Sequence, residues 1–209
     1  MDSYYTLARE SETRYTVQKS LFIGNAIPCL TEEAAQQYLR KIRENTKDAS
    51  HHCFAYIIGN NEGIMRYSDD GEPGGTAGMP IISVIRAEKI VNCCVVVTRY
   101  FGGILLGTGG LVRAYTQACK LALEASGISK MEWTCHDLCE VPYSFWDRIR
   151  YLLEDLPIRI QDVTYTTAVS FELLTRQKDR ISVLDKLQTA ANREIVILEN
   201  GEQYELWEK

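Results

Sequence analysis

Residues 95–115 read VVVTRYFGGILLGTGGLVRAY, and no other part of the chain is so sharply divided into apolar, charged and glycine-rich segments. Residues 93–98 form a short uncharged run of apolar and β-branched side chains, the pattern of a strand buried on both faces. Arg99 then ends that strand with a charge, and five glycines follow within nine residues. From Leu111 onward apolar residues recur at helical spacing until Gly127. The pattern predicts a buried strand, a glycine-rich loop and a long helix.

The glycine-rich loop is a candidate binding site for an anion. A loop that opens a helix presents unpaired backbone N–H groups and the positive end of the helix dipole. The candidate residues for binding an anion or a nucleic acid are Arg99, Tyr100, Gly102, Gly103, Gly107, Gly109, Gly110 and Arg113. The spacing of the glycines matches neither the P-loop nor the dinucleotide-binding motif. Two interpretations therefore stay open, an anion site and glycines that allow close packing of the helix on the sheet.

A second unusual stretch, residues 68–80, reads SDDGEPGGTAGMP and cannot be a regular element. We expect its acids, Asp69, Asp70 and Glu72, to face the glycine-rich loop. They could hold a divalent cation with backbone oxygens, or they could pair with arginines, for which the candidates are Arg66, Arg86, Arg99 and Arg113. Because the EF-hand spacing is absent, we expect no metal.

Two adjacent histidines, His51 and His52, lie in a predicted strand at 48–58. Neighbouring side chains on a strand point to opposite faces, so one histidine is expected to be exposed and the other packed. We take His52 and Arg66 as accessory candidates for the site.

Composition and charge narrow the class of protein. The chain has 209 residues, 45 % of them hydrophobic, and contains no run of 18 apolar residues and no basic start followed by an apolar stretch. We therefore expect a cytoplasmic protein without a membrane partner. The net charge of −5 argues against broad coating of nucleic acid. Residues 1–134 are balanced, whereas residues 135–209 carry nine basic and fourteen acidic residues.

The seven cysteines are an odd number and lie mostly in apolar surroundings, which predicts reduced, buried thiols. One local cluster, Cys135, His136 and Cys139, could suggest zinc. His136 would point to the opposite face of a strand, and no second ligand cluster matches it. We expect no zinc there.

The order of elements predicts an α+β protein of two domains, 1–134 and 135–209. The first opens with a hairpin over 13–23 and continues with a helix capped by Thr31, a strand at 48–58, a returning strand at 64–67 and a helix at 81–89. The second reads strand, helix, strand, strand, helix, strand, which is the ferredoxin-like βαββαβ pattern. Residues 204–207 are expected to add an edge strand.

Several of these stretches together resemble the IMPACT family, in particular its bacterial two-domain, YigZ-like members. The resemblance lies in residues 68–80, in RYFGG at 99–103, in Leu106-Gly107 and in GGLVRAY at 109–115, and it extends to Lys19-Ser20 and residues 48–56. One departure is Leu21, where the family often carries arginine. The resemblance implies a first domain that is an α/β sandwich like the second domain of a small-subunit ribosomal protein. It implies a ferredoxin-like second domain like the last domain of elongation factor G.

The resemblance also implies a function. We expect a non-enzymatic regulatory protein linked to translation, without cofactor or catalytic residues, that contacts RNA or the ribosome through the arginine- and glycine-rich loop, and that has a protein partner in translation control. One alternative is a protein-interaction module that uses the acidic second domain. The other is an enzyme acting on a phosphorylated small molecule, with Asp69, Asp70 or Glu72 as base or metal ligand, His52 as acid–base group and Arg99 as anion clamp.

Overall fold

A computed structural model describes residues 3–208 of the protein. The chain forms two compact units, Tyr4–Lys130 and Met131–Leu206. Both mix helices with a β-sheet, which confirms the predicted α+β class. One strand, β7 (Ile128–Val141), crosses the division between the units, and the domain limits 1–134 and 135–209 stay a prediction. None of the helices within residues 3–208 is both long and apolar enough to cross a membrane.

The first unit contains a five-stranded sheet covered by helices, and a further strand, the first in the chain, that lies outside this sheet. Its elements are β1 (Tyr4–Leu7), β2 (Ser11–Val17), β3 (Ser20–Pro28), α1 (Glu32–Asn45), β4 (His51–Ile58), β5 (Ile64–Ser68), α2 (Gly78–Ala87), β6 (Cys93–Tyr100) and α3 (Gly107–Ser126). The sheet has the order β2-β3-β6-β4-β5, and the pairs β2–β3, β3–β6, β6–β4 and β4–β5 are antiparallel. The expected opening hairpin, the helix after Thr31 and the strand pair that follows are all confirmed.

Strand β6 lies at the centre of this sheet, and all its residues except Tyr100 are buried. Cys94 and Val96 pack with Tyr38 and Leu39 of α1 on one face. The alternate residues face α3 on the other, where Cys53 of the neighbouring β4 contacts the hydroxyl of Tyr115. The strand buried on both faces is therefore confirmed.

Two details of this region differ from the sequence-based expectation. Arg99 does not end the strand, because β6 continues to Tyr100 and Arg99 is buried inside the sheet. The helix begins at Gly107 and not at Leu111, so the last three glycines of the stretch lie in its first turn. Gly107, at the start of the helix, has a φ of +69°, a backbone conformation that favours glycine.

The second unit has the predicted βαββαβ order. After β7 come α4 (Tyr143–Glu154), β8 (Ile158–Tyr165), β9 (Val169–Arg176), α5 (Gln177–Ala190) and β10 (Val196–Glu208). The sheet has five strands, in which β7, β9 and β8 are neighbours in that order and β7 also pairs with β10 and with β1. The predicted tail strand at 204–207 is not separate, since β10 runs through it without a break. Both helices pack on one face of the sheet, where Trp146, Ile149, Val183 and Leu187 meet Phe171.

Candidate functional site

A cleft of about 480 Å³ lies in the first unit. It forms where the start of β4 and the end of β6 meet the loop after β5 and the first turn of α3. The residues that line it are Ser50, His51, Glu72, Pro73, Arg99, Phe101, Leu105, Leu106, Gly107, Thr108 and Leu111. The two unusual stretches of the sequence therefore do meet at one place.

A buried ion pair lies in the wall of the cleft. Nη1 of Arg99 lies 2.7 Å from Oε1 of Glu72, and the two residues are only 5 % and 8 % exposed. The hydroxyl of Tyr115 donates to the same carboxylate oxygen at 2.7 Å. The guanidinium of Arg99 also lies against the rings of Phe22 and Phe101, at 5.5 and 5.4 Å from their centroids. Arg99 is thus a neutralised, packed residue of the wall and not an exposed anion clamp.

The other loop acids have partners away from the cleft. Asp69 accepts hydrogen bonds from the backbone N–H groups of Gly75, Ala77 and Gly78, at 2.8, 3.0 and 2.8 Å, and so caps the start of α2. Asp70 pairs with Arg43 at 2.7 Å and accepts from the backbone N–H of His52.

The arginine partners differ in part from the candidates proposed. Arg66 pairs with Glu32 and Arg86 with Glu62, so of the candidate arginines only Arg99 pairs with a loop acid. Asp69 and Asp70 are not among the cleft residues, and Glu72 alone of the three loop acids faces the site. Within residues 3–208, no group of three or more His, Cys, Asp or Glu side chains is placed to hold a metal ion.

His51 lines the cleft in place of His52. Nδ1 of His51 lies 2.8 Å from the carbonyl oxygen of Asp70 and must donate to it, because a carbonyl only accepts. Its Nε2 lies 4.0 Å from Oε1 of Glu72. His52 instead packs at the end of α1, where Nε2 lies 2.8 Å from Oγ1 of Thr46, and burial lowers its pKa. His52 is therefore not among the residues that line the cleft, and its accessory role stays a prediction.

The glycine segment, residues 102–110, follows β6 and is held by the hairpin turn between β2 and β3. A Cβ added to Gly102 would lie 2.0 Å from the backbone carbon of Lys19, so only glycine fits there. The backbone N–H of Gly102 donates to Oγ of Ser20 at 3.2 Å. The turn itself is tight, since Gln18 and Lys19 both have positive φ and Val17 pairs with Ser20. Close packing thus explains Gly102.

The first turn of α3 opens onto the cleft. Leu106, in the N-cap position, provides no side-chain hydrogen bond to the N–H groups of this turn. Arg113 lies further along the same helix and is exposed, and a Cβ added to Gly109 would lie 3.7 Å from its Nη1. The guanidinium of Arg113 therefore reaches back over the first turn. Lys19 is exposed on the hairpin turn that contacts Gly102.

Neither Arg113 nor Lys19 has an ion-pair partner among residues 3–208. Sequence reasoning included Arg113 but did not name Lys19 as a site residue. The Lys19-Ser20 pair within the family resemblance was the signal that could have identified it.

Three large apolar side chains beside the cleft are exposed. They are Phe101, Ile104 and Leu105, with 48 %, 42 % and 84 % of their surface accessible. Tyr100, another predicted site residue, is half-buried and donates its hydroxyl to Asp48 at 3.1 Å. The glycine segment thus presents an apolar edge next to the polar first turn of α3.

The buried polar groups near the cleft are suited to structure more than to reaction chemistry. Burial raises the pKa of the Cys53 thiol to about 12. Burial, together with Cys53 and Glu72, also raises the pKa of Tyr115 far above its ordinary value. Both groups therefore stay protonated at neutral pH and neither is a ready nucleophile or base. The arrangement favours binding.

Comparison with known proteins identifies relatives of both units. The model of the Impact N-terminal domain matches residues 18–123, and that of the Domain of unknown function (DUF1949) matches residues 139–192. IMPACT family member YvyE of Bacillus subtilis (strain 168) is 35 % identical over 179 residues, which cover 86 % of this chain and 82 % of the relative. IMPACT family member YigZ of Escherichia coli (strain K12) is 38 % identical over 125 residues, 59 % of this chain and 61 % of the relative.

A more distant relative matches only a part of the chain. Protein IMPACT of Homo sapiens is 33 % identical over 97 residues, which cover 44 % of this chain and 30 % of that protein. A solved crystal structure described as that of a hypothetical protein aligns over 97 % of this chain and 100 % of its own, with a TM-score of 0.62 and 29 % identity.

Proposed function

Because the chain belongs to the IMPACT family, we propose that it is a non-enzymatic regulatory protein linked to translation, which contacts RNA or the ribosome through the glycine segment and the first turn of α3. The link to translation rests on the resemblance of this chain to the family, which implies relatives that act in the control of translation initiation. The RNA contact rests on the chemistry of the cleft edge. Because the net charge of the protein is −5, we expect the RNA contact to be narrow and to involve few phosphates.

The observation that carries the RNA contact is the meeting of two unpaired cations with an uncapped helix start. Arg113 lies over the first turn of α3, and Lys19 lies on the turn that contacts Gly102. Helix N–H groups and an arginine fork both suit a phosphate. The exposed ring of Phe101 offers a surface on which an unpaired base can stack.

The ion pair of Arg99 and Glu72 has a supporting role in this proposal. It joins β6 to the loop that forms one wall of the cleft, and Tyr115 ties the same carboxylate to α3. The pair therefore fixes the shape of the surface without offering a net charge to a ligand.

A second candidate is a protein partner at the same edge, and the exposure of Leu105 favours it. Leu105 is 84 % exposed and lies with the exposed Phe101 and Ile104, and such a group of apolar side chains is more typical of a docking contact than of a phosphate site. Both candidates predict loss of function on changes to the glycine segment, but they depend on different side chains.

The test compares charge reversal with apolar truncation. Ribosome co-sedimentation and filter binding of structured RNA are measured for the wild type, Arg113→Glu, Lys19→Glu and Leu105→Ser. Lys120→Glu is the matched control, because Lys120 is exposed on α3 two helical turns beyond Arg113 and on the same side of the helix.

We expect the wild type to bind RNA with a salt slope of about 0.7–0.9 per phosphate engaged, and each charge reversal at Arg113 or Lys19 to weaken binding and lower that slope by about one. Lys120→Glu should change little. If the wild type does not bind RNA at low salt, the RNA contact is refuted. If Leu105→Ser abolishes ribosome binding while Arg113→Glu does not, the contact is with a protein.

A further inference from the structure

The sheet of the second unit has one covered and one open face. Phe171 and Leu173 of β9, with Cys139 and Val141 of β7, belong to the core under α4 and α5. The residues that alternate with them point to the opposite side, where no helix of this unit packs within residues 131–206. We call this side the open face.

A groove of about 430 Å³ lies on the open face and is lined by residues of four strands, β7, β8, β9 and β10. Three apolar side chains form part of it and are exposed, namely Leu138, Val196 and Leu198, at 45 %, 53 % and 60 %. Single exposed apolar residues are ordinary on protein surfaces, but three within one groove form a patch that a partner could cover.

The groove is also acidic. Glu140, Asp162 and Glu172 line it, and none of its lining residues among 3–208 is a lysine, arginine or histidine. Glu172 is held in place by hydrogen bonds from Gln161, from Asn200 at 2.9 Å and from His136 at 3.0 Å. These hydrogen bonds hold the pKa of Glu172 below its ordinary value, and the bond from Gln161 has the largest effect. The carboxylate of Glu172 is therefore charged at neutral pH.

We propose that this groove binds a basic polypeptide segment of a partner protein that carries lysine or arginine and apolar residues on the same side of an extended chain. Aliphatic stems and apolar side chains of such a segment would cover the leucines and Val196, while its ammonium or guanidinium groups would pair with Glu140 and Asp162. Phosphate-bearing partners are disfavoured because the groove carries only negative charge. A neutral apolar partner is disfavoured because it would bury carboxylates without a partner.

Residues 135–209 contain fourteen acidic and nine basic residues. This net negative charge also favours a basic partner, because it attracts a basic segment over a distance. This site lies in a different unit from the cleft edge, so it does not rest on the function proposed above.

The test uses a defined probe with the whole protein. The peptide LLKKLLKK with blocked ends, which carries leucine and lysine on each side of an extended chain, is titrated into the full chain by isothermal calorimetry, beside the peptide LLEELLEE. The variants are Glu140→Lys/Asp162→Lys and Leu198→Ser. The matched control is Asp155→Lys/Asp185→Lys, which makes the same change of charge at two exposed residues of the helix-covered side.

We expect saturable binding of the lysine peptide only, weakened at least tenfold by Glu140→Lys/Asp162→Lys, several-fold by Leu198→Ser and less than twofold by the control. Absence of saturable binding overturns the proposal. Equal weakening by the control pair also overturns it, because the attraction would then be general and not located in the groove. Displacement of the peptide by structured RNA would show that the groove takes a nucleic acid, against the proposal.

Discussion

The carboxylate of Glu72 accepts hydrogen bonds from both Arg99 and Tyr115 on a single oxygen, each at 2.7 Å, with all three residues buried. This one contact joins the loop after β5, the central strand β6 and the helix α3. The charge of Arg99 is compensated inside the protein, so its main contribution is to the free energy of unfolding and to the shape of the cleft.

Loss of either partner should destabilise the first unit strongly. We expect Arg99→Ala or Glu72→Ala to lower the free energy of unfolding by about 3–5 kcal/mol, because each leaves a buried charge without its partner. Urea denaturation measures the effect. Arg86→Ala is the control, since Arg86 is exposed and pairs with Glu62 at 3.4 Å, and its loss should cost about 0–1 kcal/mol. Equal effects of Arg99→Ala and Arg86→Ala would contradict a buried ion pair.

The approach of Gly102 to the hairpin turn predicts a second stability effect. Gly102→Ala should lower the free energy of unfolding by about 1–3 kcal/mol or more, because the new Cβ would meet the backbone of Lys19 and Ser20 at 2.0–2.5 Å and that backbone must move. Gly74→Ala is the comparison, since nothing lies within 4 Å of its added Cβ. Thermal or urea unfolding of the two variants should differ clearly, and similar stabilities would argue against the close contact.

The cap that Asp69 forms at the start of α2 predicts that the stability of the protein depends on pH. Burial alone would raise the pKa of Asp69, but hydrogen bonds from the N–H groups of Gly75, Gly78 and Ala77 outweigh it and hold the pKa below its ordinary value. A lowered folded-state pKa contributes stability that is present above about pH 3.8 and is lost as the pH falls through the folded-state value.

We therefore expect Asp69→Asn to destabilise the protein by about 1–2 kcal/mol at pH 7, with the difference from the wild type shrinking below pH 4. Chemical denaturation at a series of pH values measures it. Glu44→Gln, a change at an exposed residue of α1, should show no such trend. A difference between Asp69→Asn and the wild type that is constant from pH 7 to pH 3 would refute the charged cap.

The seven cysteines should be unreactive in the folded protein. All are free and buried, which confirms the sequence-based prediction of reduced, buried thiols. Burial raises the pKa of Cys29, Cys53 and Cys139 to about 12, so almost no thiolate exists at pH 8. A disulfide reagent such as DTNB should label none of the seven within minutes in buffer and all seven in urea. One fast equivalent in buffer would mean that a thiol is more accessible than the structure indicates.

Local pattern was enough for the elements of the first unit but not for the partners of its charged residues. The uncharged β-branched run identified β6, and helical spacing identified α3. Pairing of Arg99 with the loop acids was one open alternative, but Glu72 is 27 positions away and no periodicity connects the two, so the sequence did not single out this pair. Alternation showed that His51 and His52 point to opposite faces, but it does not tell which face is the site.

The contact between the hairpin turn and the glycine segment could not be predicted either, because the residues that form it are far apart in the sequence. Ser20 and Gly102 are 82 positions apart, and only the pairing of β3 with β6 brings them together. The capping role of Asp69 was missed because its partners are backbone groups, which carry no signal of their own in a sequence.

The central position of β6 has a consequence for the growing chain during synthesis. Strands β3 and β4 both precede β6 but pair with it on either side, so neither has this neighbour until residues 93–100 have left the ribosome. A nascent chain that stops before residue 93 exposes two strand edges, and unpaired edges are sites of misfolding and aggregation. The cleft, which needs β4, β6 and α3 together, can form only after most of the first unit has been made. Pauses in synthesis should therefore be better tolerated after α3 than between β5 and β6.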